Sequence, residues 1–478
     1  MNLAKSVLQL FTSRVAKAII NFTAVIVFSR LLGASPLGSY YPFIALLGII
    51  SVPASFGING AIEKRISEGD DQAIFLGTAL SVKFSIVLFF CLILYLFRSS
   101  VNLYLGKQFA ILLIVTLFVD QIGGIFLPVL RGELRVGETA LLEILRPVCW
   151  LIFGYFFYTL DYGVYGLVYG YLIGTCLQLL AGWWKTSIEI GHPSYQHACS
   201  LIDYGKYSMI LHLGGTVFSW IDVAILSFFV VGSNFLTRGD IGAYENAWRL
   251  SLIAVMASRA ISTAVFPQFS RWDAEGARDQ IEDLIPKAAL PSLLIVIPSF
   301  VGTAILSREL LTILFGSEFA VASLSLIILS AGMIVQSIHG VVAQPLQAID
   351  RPDLAACATI IGIVSNIVLN ISLVWKFGIA GAAVATAVSF TVNTILHVLY
   401  LRNFLTIHLP WREATWGAVA AVIMGVVIYT LRMLISTTTM IDLSVIILTG
   451  IVVYSVLALA YTPIRTTARQ LFQQLISD

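Results

Sequence analysis

Three ionisable side chains, Glu245, Arg249 and Arg259, fall in the stretch GAYENAWRLSLIAVMASRAISTAVFPQ, residues 242–268. A guanidinium forks phosphate or carboxylate oxygens, and a carboxylate one helical turn away supplies a counter-charge. At about 100° per residue, Arg249, Leu252, Met256, Arg259 and Thr263 all lie within about 40° of Glu245. The stripe is about 80° wide and carries all three charges, with Leu252 and Met256 between them. The opposite face (Ala247, Leu250, Ala254, Ala257 and Ile261) is small or apolar, apart from Ser251 and Ser258. A rise of about 1.5 Å per residue sets Arg249 and Arg259 each about 10 Å from the nearer end. Two readings stand side by side. Either the stripe lines a water-filled path, or Arg259 snorkels to an interface while Arg249 pairs with Glu245.

Other residues of this kind follow the same pattern. Arg14, Lys17 and Asn21 share a face about 60° wide, with simple membrane anchoring as the alternative for the two cations. His212, Thr216 and Ser219 lie within about 60° of one another, and Asp222 trails by about 60° more. Lys83 and Asp120 are placed to pair across the first half of the chain, and Glu143 and Arg146, one turn apart, read as a local pair. The candidate head-group cavity is therefore Arg249, Arg259, Arg14, Lys17, Asn21, Glu245 and His212, with Asp222, Asp120 and Lys83 as coupling or structural charges. A cavity of both signs with a cationic excess suits an anionic, phosphate-bearing ligand. Trp220, Tyr244 and Trp248 would stack on sugar faces or serve as ordinary packing.

The elements that must position these groups follow from composition. Hydrophobic residues make up 58% of the 478 and charged residues 11%, against about 25% charged in an ordinary soluble domain. Fourteen apolar segments of spanning length recur, at about 12–32, 38–61, 74–97, 109–130, 139–160, 163–184, 206–231, 242–267, 287–306, 319–343, 354–375, 378–401, 413–434 and 442–462. If the N-terminus is cytoplasmic, about 17 Lys and Arg sit at cytoplasmic ends and about 7 at outer ends, so both termini are expected inside. P-L-G-S-Y (Pro36 to Tyr40) is echoed by D-I-G-A-Y (Asp240 to Tyr244), and Y-G-V-Y-G (Tyr162 to Gly166) by F-G-I-A-G (Phe377 to Gly381). These echoes predict two six-helix halves in parallel repeat: an N-terminal lobe over 1–184, a linker over 185–205, a C-terminal lobe over 206–402, and two added helices with a tail over 403–478. G-L-V-Y-G-Y-L-I-G puts Gly166, Gly170 and Gly174 on one close-packing face. The expected fold class is thus an all-α polytopic membrane protein of about 14 transmembrane helices.

Several function classes are excluded. The formal net charge is +2, and no basic run with interleaved aromatics marks a nucleic-acid binder. Neither a Walker loop, a Ser/His/Asp set nor an aqueous domain is present, so no enzyme is expected and no cofactor motif is seen. The five cysteines, without a C-x-x-C pair, read as buried hydrophobes rather than metal ligands.

Two groups of residues carry a family resemblance. F-S-R-L-L-G-A-S-P-L-G-S-Y-Y (Phe28 to Tyr41) resembles the end of helix one and the start of helix two of the polysaccharide flippases, the Wzx-type O-antigen flippases among them, in the MATE-like MOP superfamily. W-I-D-V-A-I-L-S-F-F (Trp220 to Phe229), G-D-I-G-A-Y-E-N-A-W-R-L (Gly239 to Leu250) and F-P-Q-F-S-R (Phe266 to Arg271) resemble that family's helix seven to helix eight signature. The resemblance implies movement of a polyprenyl-linked oligosaccharide across the plasma membrane by alternating access between two lobes. Glycan polymerase or transferase machinery are the implied partners. A cation-coupled small-molecule exporter and a peptidoglycan-precursor flippase are the alternatives. Such exporters place an acidic cation site in the first lobe, often on helix one, where this chain has no Asp or Glu.

Overall fold

The computed structural model describes residues 3–232, 235–349 and 351–466; side chains at 3–14, 207, 210–213, 257, 259–268, 270 and 274 lie outside that description. Among the described residues the chain is helical, and twelve helices are long and apolar enough to cross a membrane. An all-helical answer is what lipid demands, because a helix satisfies its own backbone polar groups. In order the helices are α1 (Leu3–Leu32), α2 (Ala34–Ser55), α3 (Ile58–Glu68), α4 (Gln72–Leu96), α5 (Arg98–Leu105), α6 (Ala110–Gly123), α7 (Phe126–Gly132), α8 (Val136–Thr159) and α9 (Val164–Lys185). There follow α10 (Tyr195–Gly232), α11 (Arg238–Ala274), α12 (Arg278–Leu314), a 3-10 turn (Ser317–Ala322), α13 (Ser323–Ala348), α14 (Pro352–Leu401), α15 (Trp411–Leu434) and α16 (Met440–Ala460). Fourteen spans are compatible with this: α14, 50 residues long, holds the eleventh and twelfth segments, and α11 holds the eighth. Two expected segments are each broken in two. The second splits into α2 and α3 at Phe56 and Gly57, with φ of 46° and 68°, and the fourth splits into α6 and α7.

The chain divides into two compact units, Met1–Gly242 and Ala243–Asp478. The division falls at the start of α11. The reason is that α10, expected to open a second lobe, packs on α2, α3 and α4.

In the first unit, α4 shows how a membrane-type helix sorts its faces. Leu88, Leu92 and Leu96 are exposed, while Lys83, Val87, Cys91 and Leu94 are buried. The glycine seam of α9 lies on α8: a Cβ on Gly170 would come within 2.6 Å of the Gly154 nitrogen, and one on Gly174 within 2.9 Å of the Arg146 oxygen. That close approach is the packing the small-residue spacing predicts. At the end of the unit, residues 238–242 cross α2 backbone to backbone. A Cβ on Gly38 would stand 1.6 Å from the Arg238 oxygen, and one on Gly242 would stand 2.1 Å from the Ala34 oxygen. The two glycines of the first sequence echo therefore meet one another. Arg238 also donates to the carbonyls of Leu103 and Tyr104 at 3.2 and 2.7 Å, and the Tyr104 hydroxyl donates to the Ala224 carbonyl at 3.1 Å. Burial pushes the Tyr104 phenol up to about 12, so it remains a donor at neutral pH.

In the second unit, α13 packs on α12 and α14, and α15 packs on α12 and α16. Arg432 of α15 pairs with Glu309 of α12 at 2.7 Å. Along α14, and across to His339 of α13, runs a neutral polar line. Asn366 donates to Thr386 Oγ1 at 3.3 Å, Asn370 donates to the Asn366 carbonyl at 3.1 Å, and Asn393 donates to His339 Nε2 at 3.2 Å. The His397 ring lies 4.7 Å from that of His339 and donates to the Asn393 carbonyl at 2.9 Å.

The second echo has a backbone counterpart in each unit. Gly163, between α8 and α9, has φ 52° and ψ −128°, and Gly378, at the sharp turn inside α14, has φ 58° and ψ −135°. This region is open only to glycine.

Candidate functional site

A cavity of about 480 Å³ lies within the first unit, inside the usual range of about 300–1,000 Å³ for ligand sites. Its walls come from α2 (Gly48, Ser51), α3 (Asn59, Glu63), α6 (Asp120, Gln121), Arg131 of α7, Arg146 of α8, Tyr171 of α9 and Trp220 of α10. An adjoining chamber of about 240 Å³ shares Asn59, Asp120, Gln121, Arg131 and Arg146 and adds Lys83 of α4. Together the walls carry three cations, Lys83, Arg131 and Arg146, against two carboxylates, Glu63 and Asp120.

Local structure explains each placement. The α8–α9 seam brings Arg146 against the α9 face that also carries Tyr171 and Gln178. Arg146 Nη1 lies 3.1 Å from Asp120 Oδ1 and donates to the Tyr171 hydroxyl at 2.8 Å. Its Nε and Nη2 both donate to Gln178 Oε1, at 3.0 and 2.8 Å. Gln121 donates to the second oxygen of Asp120 at 3.3 Å. The break after α2 turns α3 inward, so that Asn59 and Glu63 face the cavity. Glu63 accepts from Arg131 Nε at 3.0 Å, and Asn59 Oδ1 accepts from Lys83 Nζ at 2.8 Å. Trp220 enters beside α2 because position 48 is glycine, whose Cβ would stand 3.1 Å from the indole. Two buried wall atoms, Ser51 Oγ and Gln121 Oε1, have no protein partner among the described residues. A polar atom out of water without a partner is costly, so both are ready to bond a bound group.

The residues expected from sequence are placed as follows. Asp120 and Lys83 share the chamber wall, yet each has a different partner from the one expected, Arg146 and Asn59. Glu143 does not take Arg146; it takes Lys17 of α1, at 3.4 Å. Asn21 bonds back to the Lys17 carbonyl at 2.8 Å. Glu245 is buried and holds Arg249 at 2.9 Å, the local pair that was one of the two readings. Asp222 is buried on α10. Arg14, His212 and Arg259 have side chains outside the described residues. Of the three aromatic candidates, Trp220 lines the cavity, Tyr244 is buried, and Trp248 packs on Phe390 at 6.1 Å. Cys199 and Cys357 are exposed, unlike the buried Cys91 and Cys149. The sequence reading passed over Asn59, Glu63, Gln121 and Arg131 as site residues. The polar positions Tyr171 and Gln178, seven apart on the glycine seam, were a legible signal for a buried partner.

Known proteins share this architecture. The family model described as lipid II flippase MurJ matches residues 73–453. The probable low-salt glycan biosynthesis flippase Agl15 of Haloferax volcanii is 40% identical over 476 residues, covering 100% of this chain and 99% of the relative. The probable flippase AglR of the same organism is 29% identical, covering 100% and 99%. Among solved structures, lipid II flippase MurJ in an inward closed conformation gives a TM-score of 0.80 at 19% identity, over 94% of this chain and 98% of that one. An inward-facing multidrug resistance MATE family transporter gives 0.66 at 17% identity, over 81% and 94%. At these identities the two structures speak for the fold alone.

Proposed function

We propose a transport function from the premise that this chain belongs to the lipid II flippase MurJ family of the MOP superfamily. It carries a polyprenyl-(pyro)phosphate-linked oligosaccharide from the inner to the outer leaflet by alternating access, for surface polysaccharide or glycoprotein glycan assembly. The relative at 40% identity over the whole chain is described as a probable low-salt glycan biosynthesis flippase, which favours a glycan assembled on a lipid carrier over a peptidoglycan precursor. The protein is multi-pass, and we place it in the plasma membrane with both termini cytoplasmic, beside the polymerase or transferase that uses its product.

One observation carries the reading: the first-unit cavity, where Lys83, Arg131 and Arg146 outnumber Glu63 and Asp120 next to Trp220. A positive, low-dielectric wall attracts phosphate, and an indole offers a face to a sugar ring. The orphaned Ser51 Oγ and Gln121 Oε1 accept from sugar hydroxyls. The lipid tail stays in the bilayer, so only the head group needs the polar path. The same positive excess disfavours a cationic drug as cargo, and α1 contains no Asp or Glu.

The test is leaflet sidedness. The protein is reconstituted in liposomes with a labelled polyprenyl-pyrophosphate oligosaccharide, and the fraction open to an external glycosidase is followed. A rise above empty liposomes, weakened by Trp220→Ala or Arg131→Gln, is expected. No rise from folded protein with several glycans would overturn the reading.

A further inference from the structure

The first unit has a second polar pocket, of about 600 Å³. A spanning helix, α4, separates it from the main cavity: α3, which carries Asn59 and Glu63, precedes α4, and α5, which forms the second pocket, follows it. The wall is Ser99, Asn102 and Leu103 of α5, the turn 106–108, and Tyr165 of α9. The turn is held from several sides. The Asn102 amide donates to Gln108 Oε1 at 2.6 Å, and its Oδ1 accepts from the Ala110 nitrogen at 2.8 Å. Gly106, at φ 69°, donates to the Asn102 and Leu103 carbonyls at 2.9 and 3.2 Å. Arg238 closes the end of α5 through the Leu103 and Tyr104 carbonyls. The Tyr165 ring stands edge-on to Phe109 at 4.9 Å, and Phe109 edge-on to Phe43 of α2 at 5.8 Å. This frame presents donors. With Gln108 Oε1 taken by Asn102, its amino group is left beside the Lys107 ammonium and the Ser99 and Tyr165 hydroxyls, and among the described residues no carboxylate lines the wall. Such a set bonds an oxygen-rich ligand, and Lys107 turns away a cationic one. Exposed Leu96, Phe97 and Leu103 beside the pocket mark α5 as a helix of the membrane surface, so the pocket lies at head-group level.

We infer that this pocket is a second carbohydrate site, at the outer surface and apart from the main cavity, which holds the sugars of a head group that has crossed the membrane. This rests on the flippase reading and the orientation given above, and adds to them a receiving station opposite the loading one. Lys107, Gln108, Ser99 and Tyr165 bond the hydroxyls and ring oxygens, and the fixed Tyr165 ring offers apolar surface to the C–H face of a sugar. The site reads the glycan, not the phosphate of the carrier.

The experiment is protection from labelling, with the full chain in right-side-out membrane vesicles. Ser99→Cys puts a thiol in the pocket for a membrane-impermeant maleimide, and wild type, with Cys199 and Cys357 exposed, gives the background. The probe is the pool of oligosaccharides released by mild acid from the polyprenyl carriers of the source cells. Labelling from outside that this pool slows is expected. Adding Lys107→Ala and Gln108→Ala should raise the concentration for half-protection about tenfold, the scale of one to two hydrogen bonds. Tyr165→Phe, which keeps the ring on Phe109, should raise it less. Labelling that the pool does not slow up to its solubility limit would overturn the site, and so would slowing that survives the double substitution unchanged. Equal slowing by inorganic phosphate would overturn the carbohydrate assignment, because the pocket would then hold a lipid phosphate. Labelling from the inner side alone would overturn its place at the outer surface. Protection by a protein that moves no glycan would keep the site and remove the flippase reading; glycan movement without protection would do the reverse.

Discussion

Between α3 and α9 the first unit holds Lys83, Asp120 and Arg146, while the second unit carries Asn366, Asn370, Asn393 and His397 along α14, with His339 facing them from α13. Both units thereby hold polar groups inside an apolar shell. In the second unit the polar side chains bond mostly to one another, and each such bond is worth about 1 kcal/mol. In the first, the two halves of each ion pair depend on one another, and a charge left alone in the interior is far more costly than a lost amide bond. The neutral line fixes how two helices pack. The charged group fixes packing too, but its energy also changes whenever an anion arrives. A site meant to respond to a charged cargo needs the second property.

The strongest way to break this contrast is Asp120→Ala. It leaves Arg146 without a carboxylate and should lower stability by about 1.5–3 kcal/mol, read as a clear drop in the melting temperature in detergent. Replacing Asp120 and Arg146 together by leucine should recover most of that loss. A single variant that melts like wild type would mean the pair is solvated and the contrast unfounded. Gly163→Ala and Gly378→Ala sharpen the contrast from the other side. Both force a side chain into a glycine-only conformation at about 1–3 kcal/mol, and the two penalties should agree because the backbone term is the same in each unit. Asn393→Leu, which removes one bond to His339, should cost about 1 kcal/mol, well short of Asp120→Ala. Smallest is Lys17→Ala. The lysine side chain is 42% exposed, and such a pair is worth less than about 1 kcal/mol, so the melting temperature should barely move.

How much of this was readable beforehand depended on what the property needs. Segment length and apolarity are local, and each of the fourteen segments maps onto helix. The glycine seam was readable as well, because small residues at i, i+4 and i+8 act on one helix face. The helix break at Phe56–Gly57 escaped the periodicity, since hydropathy runs through it undisturbed while the cause is the close approach of another backbone at Gly205. Charge partners were the least legible. Lys83 and Asp120 read from the sequence as mid-span charges able to pair, but position along a helix does not say which neighbour arrives. Arg146 took Asp120 because the α8–α9 seam fixes its direction, and Glu143 was left for Lys17. The neutral line of the second unit was missed although Asn366 and Asn370, and Asn393 and His397, are each four apart. The stripe analysis that found Glu245 and Arg249 would have found them too, had it been applied to amides as well as charges.

The crossing of residues 238–242 over α2 bears on the order in which the molecule is made. Synthesis runs from the N-terminus, and domains fold as they emerge. The last piece of the first unit, the opening of α11 from Arg238 to Gly242 that seats against Ala34 and Gly38, is translated when about half of the 478 residues have been made. Lys83, Asp120 and Arg146 must then find their partners in the bilayer before any helix of the second unit exists. The charged chamber is thus an early product of biogenesis, and a nascent chain halted soon after Gly242 should already contain it.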